Sequence, residues 1–211
     1  MVSRVSPRVA DPAIRTTLIE AAARIIATEG PDALTLRRVA DEVGTSTMAI
    51  YTHFGSMAEL RRGVRREGFA RLADHLGGVR HTRDPVNDLA LLGSAYFTNG
   101  FTNPHLYRAM FMEHGLDLED AVIGIETFEA LVAAVRRCLE AGRFDDGEPV
   151  EMATHLWALT HGIVTLHLAG FLSVDQARDA LAQAALNLFI GYGDDRGAAR
   201  RSIDRAVRRV G

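Results

Sequence analysis

Apolar residues recur at spacings of three and four along almost the whole chain. Ile14, Leu18, Ala21, Ala22, Ile25 and Ile26 form one such stripe and predict an amphipathic helix. Asp11-Pro12 supplies its start, a capping side chain followed by proline at the first helical position, and Gly30-Pro31 stops it. Short helices are predicted at about 35–43 and 46–53, and a longer one from Ser56 to near Leu76. Gly77-Gly78 and the polar stretch to Asp84-Pro85 form the clearest boundary. Beyond it the pattern predicts helices at about 86–101, 104–113, 119–141, 149–170 and 173–191, punctuated by Asn103-Pro104, Gly115 and Gly142. The tail after Asp194 carries Ala199, Ile203, Ala206, Val207 and Val210 on one side with Arg around them, the pattern of a short basic helix. No stretch alternates with period two for long enough to predict a strand. The expected fold class is all-α.

The segment from Leu34 to Phe54 is the most specific. Thr35 and Ser46 stand where each of two short helices needs a cap. Ala40 is small enough for two helices to cross closely, and Gly44 permits a sharp turn between them. Leu36, Val39 and Val43 then face Ile50 and Phe54 as a small core. Thr45, Thr47, Met48, Tyr51 and Thr52 are left outward on the second helix, a surface of the size that enters a major groove. Spacing and caps alone fit an ordinary helical hairpin equally well.

Charge adds a gradient. Residues 1–75 hold 11 Arg against 9 acids, residues 76–193 hold 7 against 15, and residues 194–211 hold 6 against 3. A mildly basic head on an acidic body suits a DNA-binding module joined to a module of another kind. Every basic residue is Arg, and none is Lys. The lone Cys138 excludes an intrachain disulfide and a cysteine-built zinc site. It lies on an apolar helix beside Arg136 and Arg137, where a buried thiol is expected rather than a redox sensor. No uninterrupted apolar run reaches a membrane span, and Met1-Val2-Ser3-Arg4 opens no apolar signal region, so a cytoplasmic protein with no membrane partner is expected.

The run from Leu34 to Leu60 resembles the DNA-binding domain of the TetR family of transcriptional regulators. It carries Thr35, then Val39-Ala40 and Gly44, then Tyr51-Thr52-His53-Phe54, Ser56 and Glu59-Leu60, in register. The resemblance implies a three-helix helix-turn-helix domain, joined by a fourth helix to a helical ligand-binding and dimerisation domain. On that division residues 1–11 are a flexible arm, 12–55 the DNA-binding domain, 56–193 the effector-binding and dimerisation domain with 56–76 as its connecting helix, and 194–211 a basic tail. Position by position, Thr35 and Arg37 fall where the first motif helix touches phosphate and base edges. Tyr51 and His53 fall at phosphate-binding positions, Thr45, Thr47, Met48, Ala49 and Thr52 at base-reading positions, and Ser46 counts with them among the DNA-binding residues. Met57 stands where many members place a Lys, so backbone affinity is expected to lean on Arg37, Arg38 and the helix N-terminus. Between Thr45 and His53 there is no Arg, Lys, Asn or Gln, which points to thymine-methyl contacts with Arg37 as the main hydrogen-bonding reader. Arg4 and Arg8 in the arm read as a solvated tail before a minor-groove contact, and Arg61, Arg62, Arg65 and Arg66 on the fourth helix read equally as a solvated face or as long-range attraction for DNA.

In the body, Leu156-Trp157-Ala158-Leu159-Thr160-His161-Gly162 resembles the Trp-His-Gly helix of one group of TetR-family C-terminal domains, and Tyr107-Arg108-Ala109-Met110-Phe111 resembles the same group. The expected effector-binding residues are Tyr96, Phe97, Tyr107, Phe111, His114, Trp157 and His161, with Asn99, His155, Thr160 and Thr165 as nearby polar groups. Trp157 and His161 share a helix face and fit a pocket, the core or a dimer seam alike. An apolar or aromatic effector is expected. The last two long helices are the expected homodimer interface, with Leu159, Ile163, Leu166, Leu181, Leu188 and Phe189 supplying apolar area. The dimer then reads a palindromic operator in double-stranded DNA, most simply as a repressor released by effector. His155, His161 and His167 stand six apart and cannot share one face, so no metal or cofactor is expected. A helical enzyme using His114 or His161 finds no supporting motif, and no catalytic residue is assigned.

Overall fold

The computed structural model describes residues 11–112 and 122–210, and among these it contains ten helices and no strand. The expected all-α class is observed. The arm with Arg4 and Arg8 lies outside the described residues. The chain divides into two compact units: residues 11–68 with 105–112, and residues 69–104 with 122–210.

The first unit holds α1 (Pro12–Glu29), α2 (Leu36–Val43), α3 (Thr47–Phe54), the first part of α4 (Met57–Gly77) and most of α6 (Pro104–Met112). Capping is local and follows the sequence. Asp11 accepts from the Ala13 N–H, Thr35 from the Arg38 N–H and Ser46 from the Ala49 N–H, each satisfying a donor that the first helical turn leaves open. Gly44 ends α2 in the left-handed region (φ 70°, ψ 36°), where a side chain would be strained. Leu18, Ile25, Ile26, Val39, Ile50, Leu60 and Val64 form one core with Leu106 and Ala109 of α6, while Leu36, Val43 and Met57 pack at its edge. Burying each such aliphatic side chain contributes roughly 1.5–3 kcal/mol. Met57 is thus occupied by packing. A Cβ at Gly68 would sit 2.5 Å from the Met110 side chain, so any other residue there forces that side chain to move.

The second unit is built from α5 (Pro85–Thr102), α7 (Ile125–Glu140), α8 (Pro149–Leu168), α9 (Val174–Gly191) and α10 (Arg196–Val210). Val86, Leu89, Val135, Cys138, Phe144, Ala153, Leu186, Phe189, Ala199 and Ile203 close its core. The segment expected as a short basic helix is a full element: α10 packs along α5, with Ala199, Ile203 and Ala206 buried. Three residues expected to supply dimer area are used inside the subunit instead: Ile163, Leu181 and Phe189 are all buried, whereas Leu166 remains exposed. The large side chain of Phe189 fits the core because α9 turns that stripe inward; helical spacing alone cannot tell which of two apolar stripes faces home.

Two carboxylate clamps fasten this unit. Asp88 accepts from Thr82 (backbone N–H 2.7 Å, hydroxyl 2.6 Å) and from Arg137 Nη1 (2.9 Å). Asp194 takes both arms of Arg143 at 2.7 Å, and the same guanidinium reaches Asp84 at 3.0 Å. Ser202 and Arg205 of α10 also donate to Asp84. Burial alone would push the Asp84 and Asp88 carboxyls up, but these hydrogen bonds and cations outweigh it and hold both below the ordinary carboxylate value.

Candidate functional site

The outward surface of α2 and α3 is built by what their caps consume. Thr35 and Ser46 spend their hydroxyls on the helix N-termini (3.1 and 3.3 Å). Thr52 donates its hydroxyl to the Met48 carbonyl at 2.9 Å, so its methyl is what it has left to offer outward. Thr47, Met48, Tyr51 and Thr52 are exposed, Met48 by 69%, while Thr45 is half-buried at the turn. Such an exposed thioether on a short helix serves no packing purpose within the unit. His53 is half-buried, and its Nδ1 is shut from solvent with no hydrogen-bond partner among the described residues. Any phosphate contact by His53 therefore falls to Nε2.

The two adjacent arginines of α2 have different fates. The Arg37 side chain is 91% exposed and only loosely opposite Asp41, at 3.9 Å. Arg38, expected to share the backbone contacts, is instead held by Glu29 (2.7 Å) and Glu42 (2.7 Å), and Arg24 grips the other oxygen of Glu42. These hydrogen bonds raise the Arg38 pKa and lower that of Glu42. The reason is geometric: α1 and α2 pack together, bringing Glu29 to the Arg38 fork, and a guanidinium in two ion pairs is not available to a phosphate. A second correction concerns α4. Arg65, read from sequence with its neighbours as a solvated face or as added attraction for DNA, is only 5% exposed. The signal was its spacing from Gly68 and Leu72, three and seven residues on, which places it on the buried stripe.

The expected effector residues are divided between the two units. Within the second unit, the Trp157 indole N–H donates to the Tyr96 hydroxyl (3.1 Å), which lies 3.3 Å from His161 Nδ1. Burial lowers the His161 pKa, which favours the neutral imidazole near pH 7. Trp157 is 39% exposed and meets Phe128 edge-on at 6.0 Å. Phe97 is buried against His167, at 5.8 Å between ring centroids. Tyr107 and Phe111 belong to the first unit and contact each other edge-on at 5.2 Å. His114 lies outside the described residues.

The flanking polar groups are satisfied locally. Asn99 accepts from Asn103, Thr160 donates to the Leu156 carbonyl, and His155 stacks on Tyr192. Cys138 is fully buried, its thiol pushed up to about 12 by desolvation, which makes it inert as a nucleophile. A groove of about 550 Å³ opens elsewhere in the second unit, walled by Leu76, Leu92, Ala130, Ala133, Asp88 and Arg137 among others, and none of the expected effector residues lines it. Sequence reasoning missed it because the alanines that leave the space carry no signal of their own. Among the described residues no cluster of three or more His, Cys, Asp or Glu side chains is placed to hold a metal ion, and no helix is long and apolar enough to cross a membrane.

Comparison with known proteins places both units. A family model described as bacterial regulatory proteins, tetR family, matches residues 18–64. A second, described as Tetracyclin repressor-like, C-terminal domain, matches residues 89–189. The chain is 28% identical over 156 residues to an HTH-type transcriptional regulator of Mycobacterium tuberculosis, covering 74% of this chain and 71% of that one. It is 27% identical over 164 residues to the HTH-type transcriptional repressor AcnR of Corynebacterium diphtheriae, covering 74% and 82%. The crystal structure of the TetR family regulator PfmR from Thermus thermophilus has the same fold, with a TM-score of 0.68 and 21% identity over 87% of this chain and 97% of that one.

Proposed function

The chain belongs to the tetR family of bacterial regulatory proteins, and we propose that it is a homodimeric repressor released from a palindromic operator by a small-molecule effector. The observation that carries the DNA half of this reading is the exposed set Arg37, Thr47, Met48, Tyr51 and Thr52, which surrounds a helix-turn-helix whose remaining hydroxyls are spent on caps. Arg37 reads or clamps the groove edge, and Tyr51 with Nε2 of His53 holds phosphates. Met48 and the methyls of Thr47 and Thr52 pack against thymine methyls. The name of the corynebacterial relative, a repressor, favours the repressing sign.

A two-fold dimer presents two such helices to successive major grooves, so the operator is a palindrome or nearly one. The exposed Leu166 and Phe171 at the end of α8 support the dimer seam there. Effector is sensed in the helical body, where Trp157, Tyr96 and His161 offer aromatic surface with directional polar tips. A coupling of about 1–3 kcal/mol weakens operator binding some five- to 150-fold.

Fluorescence anisotropy on DNA from upstream of the gene tests the DNA half. Tight binding whose affinity falls steeply with salt, and whose footprint is symmetric and thymine-dependent, is the expected result. Binding that is absent, or insensitive to salt, overturns it.

A further inference from the structure

Arg15 stands in the first turn of α1, within the unit that carries the helix-turn-helix. It is exposed, and its guanidinium carbon lies 5.1 Å from the centre of the Phe54 ring. Helix α4 closes the same corner: a Cβ placed at Gly63 would meet Phe54 at 3.0 Å and Arg15 Nη2 at 3.8 Å. The cation thus sits where α1, the end of α3 and α4 converge.

What holds it there leaves its donors open. An aromatic face attracts a cation through its quadrupole and does not fill the N–H groups. Among the described residues the Arg15 side chain forms no ion pair and no hydrogen bond. Asp11, one turn earlier, has its Oδ1 on the Ala13 N–H as the helix cap. Other arginines of the unit differ: Arg24 and Arg38 are tied to Glu42 and Glu29, and Arg62 and Arg66 to Glu59. A guanidinium fixed in place with its fork unfilled is suited to a phosphate.

Its place beside α3 says which phosphate. Phe54 follows Tyr51 by three residues, so the two are neighbours on the helix surface, Phe54 turned into the core and Tyr51 outward. Arg15 lies over the buried ring, next to the end of α3 that carries Tyr51 and His53.

We propose that Arg15 is a further phosphate-binding residue of the DNA interface, held over Phe54 so that it meets the strand beside the contacts of Tyr51 and His53. This rests on the reading of α2 and α3 as a DNA-binding surface and adds to it a contact from α1. A backbone contact contributes affinity and register without choosing a sequence. Phe54 is a positioning residue: its ring limits where the guanidinium goes, so less side-chain freedom is lost when DNA arrives.

Full-length wild type is compared with Arg15→Gln, Arg15→Lys and Phe54→Leu by fluorescence anisotropy across a range of salt. The probes are DNA from upstream of the gene and an unrelated duplex of the same length. A dimer presents two copies of Arg15, so Arg15→Gln should flatten the slope of log affinity against log salt by about two. It should weaken both duplexes by the same factor, roughly 10- to 60-fold at about 0.1 M salt. Arg15→Lys keeps the charge and should keep the slope. Urea midpoints of both Arg15 variants should match wild type, because an exposed side chain over a ring adds little stability. Phe54→Leu, compared per folded molecule, should weaken binding when Arg15 is present and add nothing to Arg15→Gln.

An Arg15→Gln protein with the wild-type slope overturns the inference. So does one whose urea midpoint falls while its slope holds, because the side chain then only braces the three helices. Weakening confined to the upstream DNA also overturns it, since that is base reading. Equal losses from Phe54→Leu with and without Arg15 remove Phe54 as the holder. Wild type that binds neither duplex takes the regulator reading down as well, whereas salt-dependent wild-type binding with an unchanged Arg15→Gln slope leaves that reading standing.

Discussion

The same residue type does opposite work in the two units. In the second unit Arg137 and Arg143 are sheltered, and each is matched: Arg137 against Asp88 and Thr82, Arg143 against Asp194 and Asp84. In the first unit Arg37 stands in solvent with one loose partner, and Arg65 is buried with none among the described residues for its Nε and Nη1. Arg38 beside them behaves like the arginines of the second unit, tied at 2.7 Å to both Glu29 and Glu42. A matched arginine holds the protein's own helices together; an exposed one such as Arg37 keeps its donors open to solvent. Burial does not by itself bring a match, because Arg65 is more buried than either clamp.

The largest effect that tests this contrast belongs to the clamps. Asp194→Ala strands the Arg143 fork and should cost roughly 2–4 kcal/mol, less than a fully buried pair because Arg143 keeps some solvent. Urea denaturation should show it, with operator affinity per folded molecule unchanged. Acid reaches the same network. Asp84 and Asp88 have native pKa values below the ordinary one, so their contribution is complete above about pH 4 and is lost as the pH falls through the lower native values. A urea midpoint that stays level between pH 6 and pH 3 would contradict the clamp reading.

Arg37→Ala should do the converse. It loses roughly 1–3 kcal/mol of operator binding and leaves the denaturation midpoint where it was. A variant that binds DNA normally removes Arg37 from the interface. Ser46→Ala comes next at about 1 kcal/mol, seen in stability because the α3 cap is lost, with DNA binding weakened only in proportion to fraying of that helix. Arg38→Ala should have the smallest effect: a slight drop in stability from surface ion pairs, and operator affinity close to wild type. If it instead matched Arg37→Ala in anisotropy, the distinction between tied and open arginines would fail in the first unit.

The sequence by itself determined the helix-turn-helix, because everything that specifies it is local. Thr35, Gly44 and Ser46 act within three or four residues of their own positions, and the observed helices, Leu36–Val43 and Thr47–Phe54, begin directly after the two expected caps. It also determined the all-helical class seen among the described residues, since the three-and-four spacing is a property of each segment alone. The tertiary structure decided what each charge and aromatic group is for, because their partners are remote. Arg38 meets Glu29 nine residues away, Arg137 meets Asp88 at 49, Arg143 meets Asp194 at 51 and Ser202 meets Asp84 at 118. No pattern of spacing carries such pairings, nor the division of Tyr96, Trp157 and His161 from Tyr107 and Phe111. The same holds for Arg65, which the sequence shows as one of a cluster of four arginines at 61–66 and which only packing turns into a buried cation.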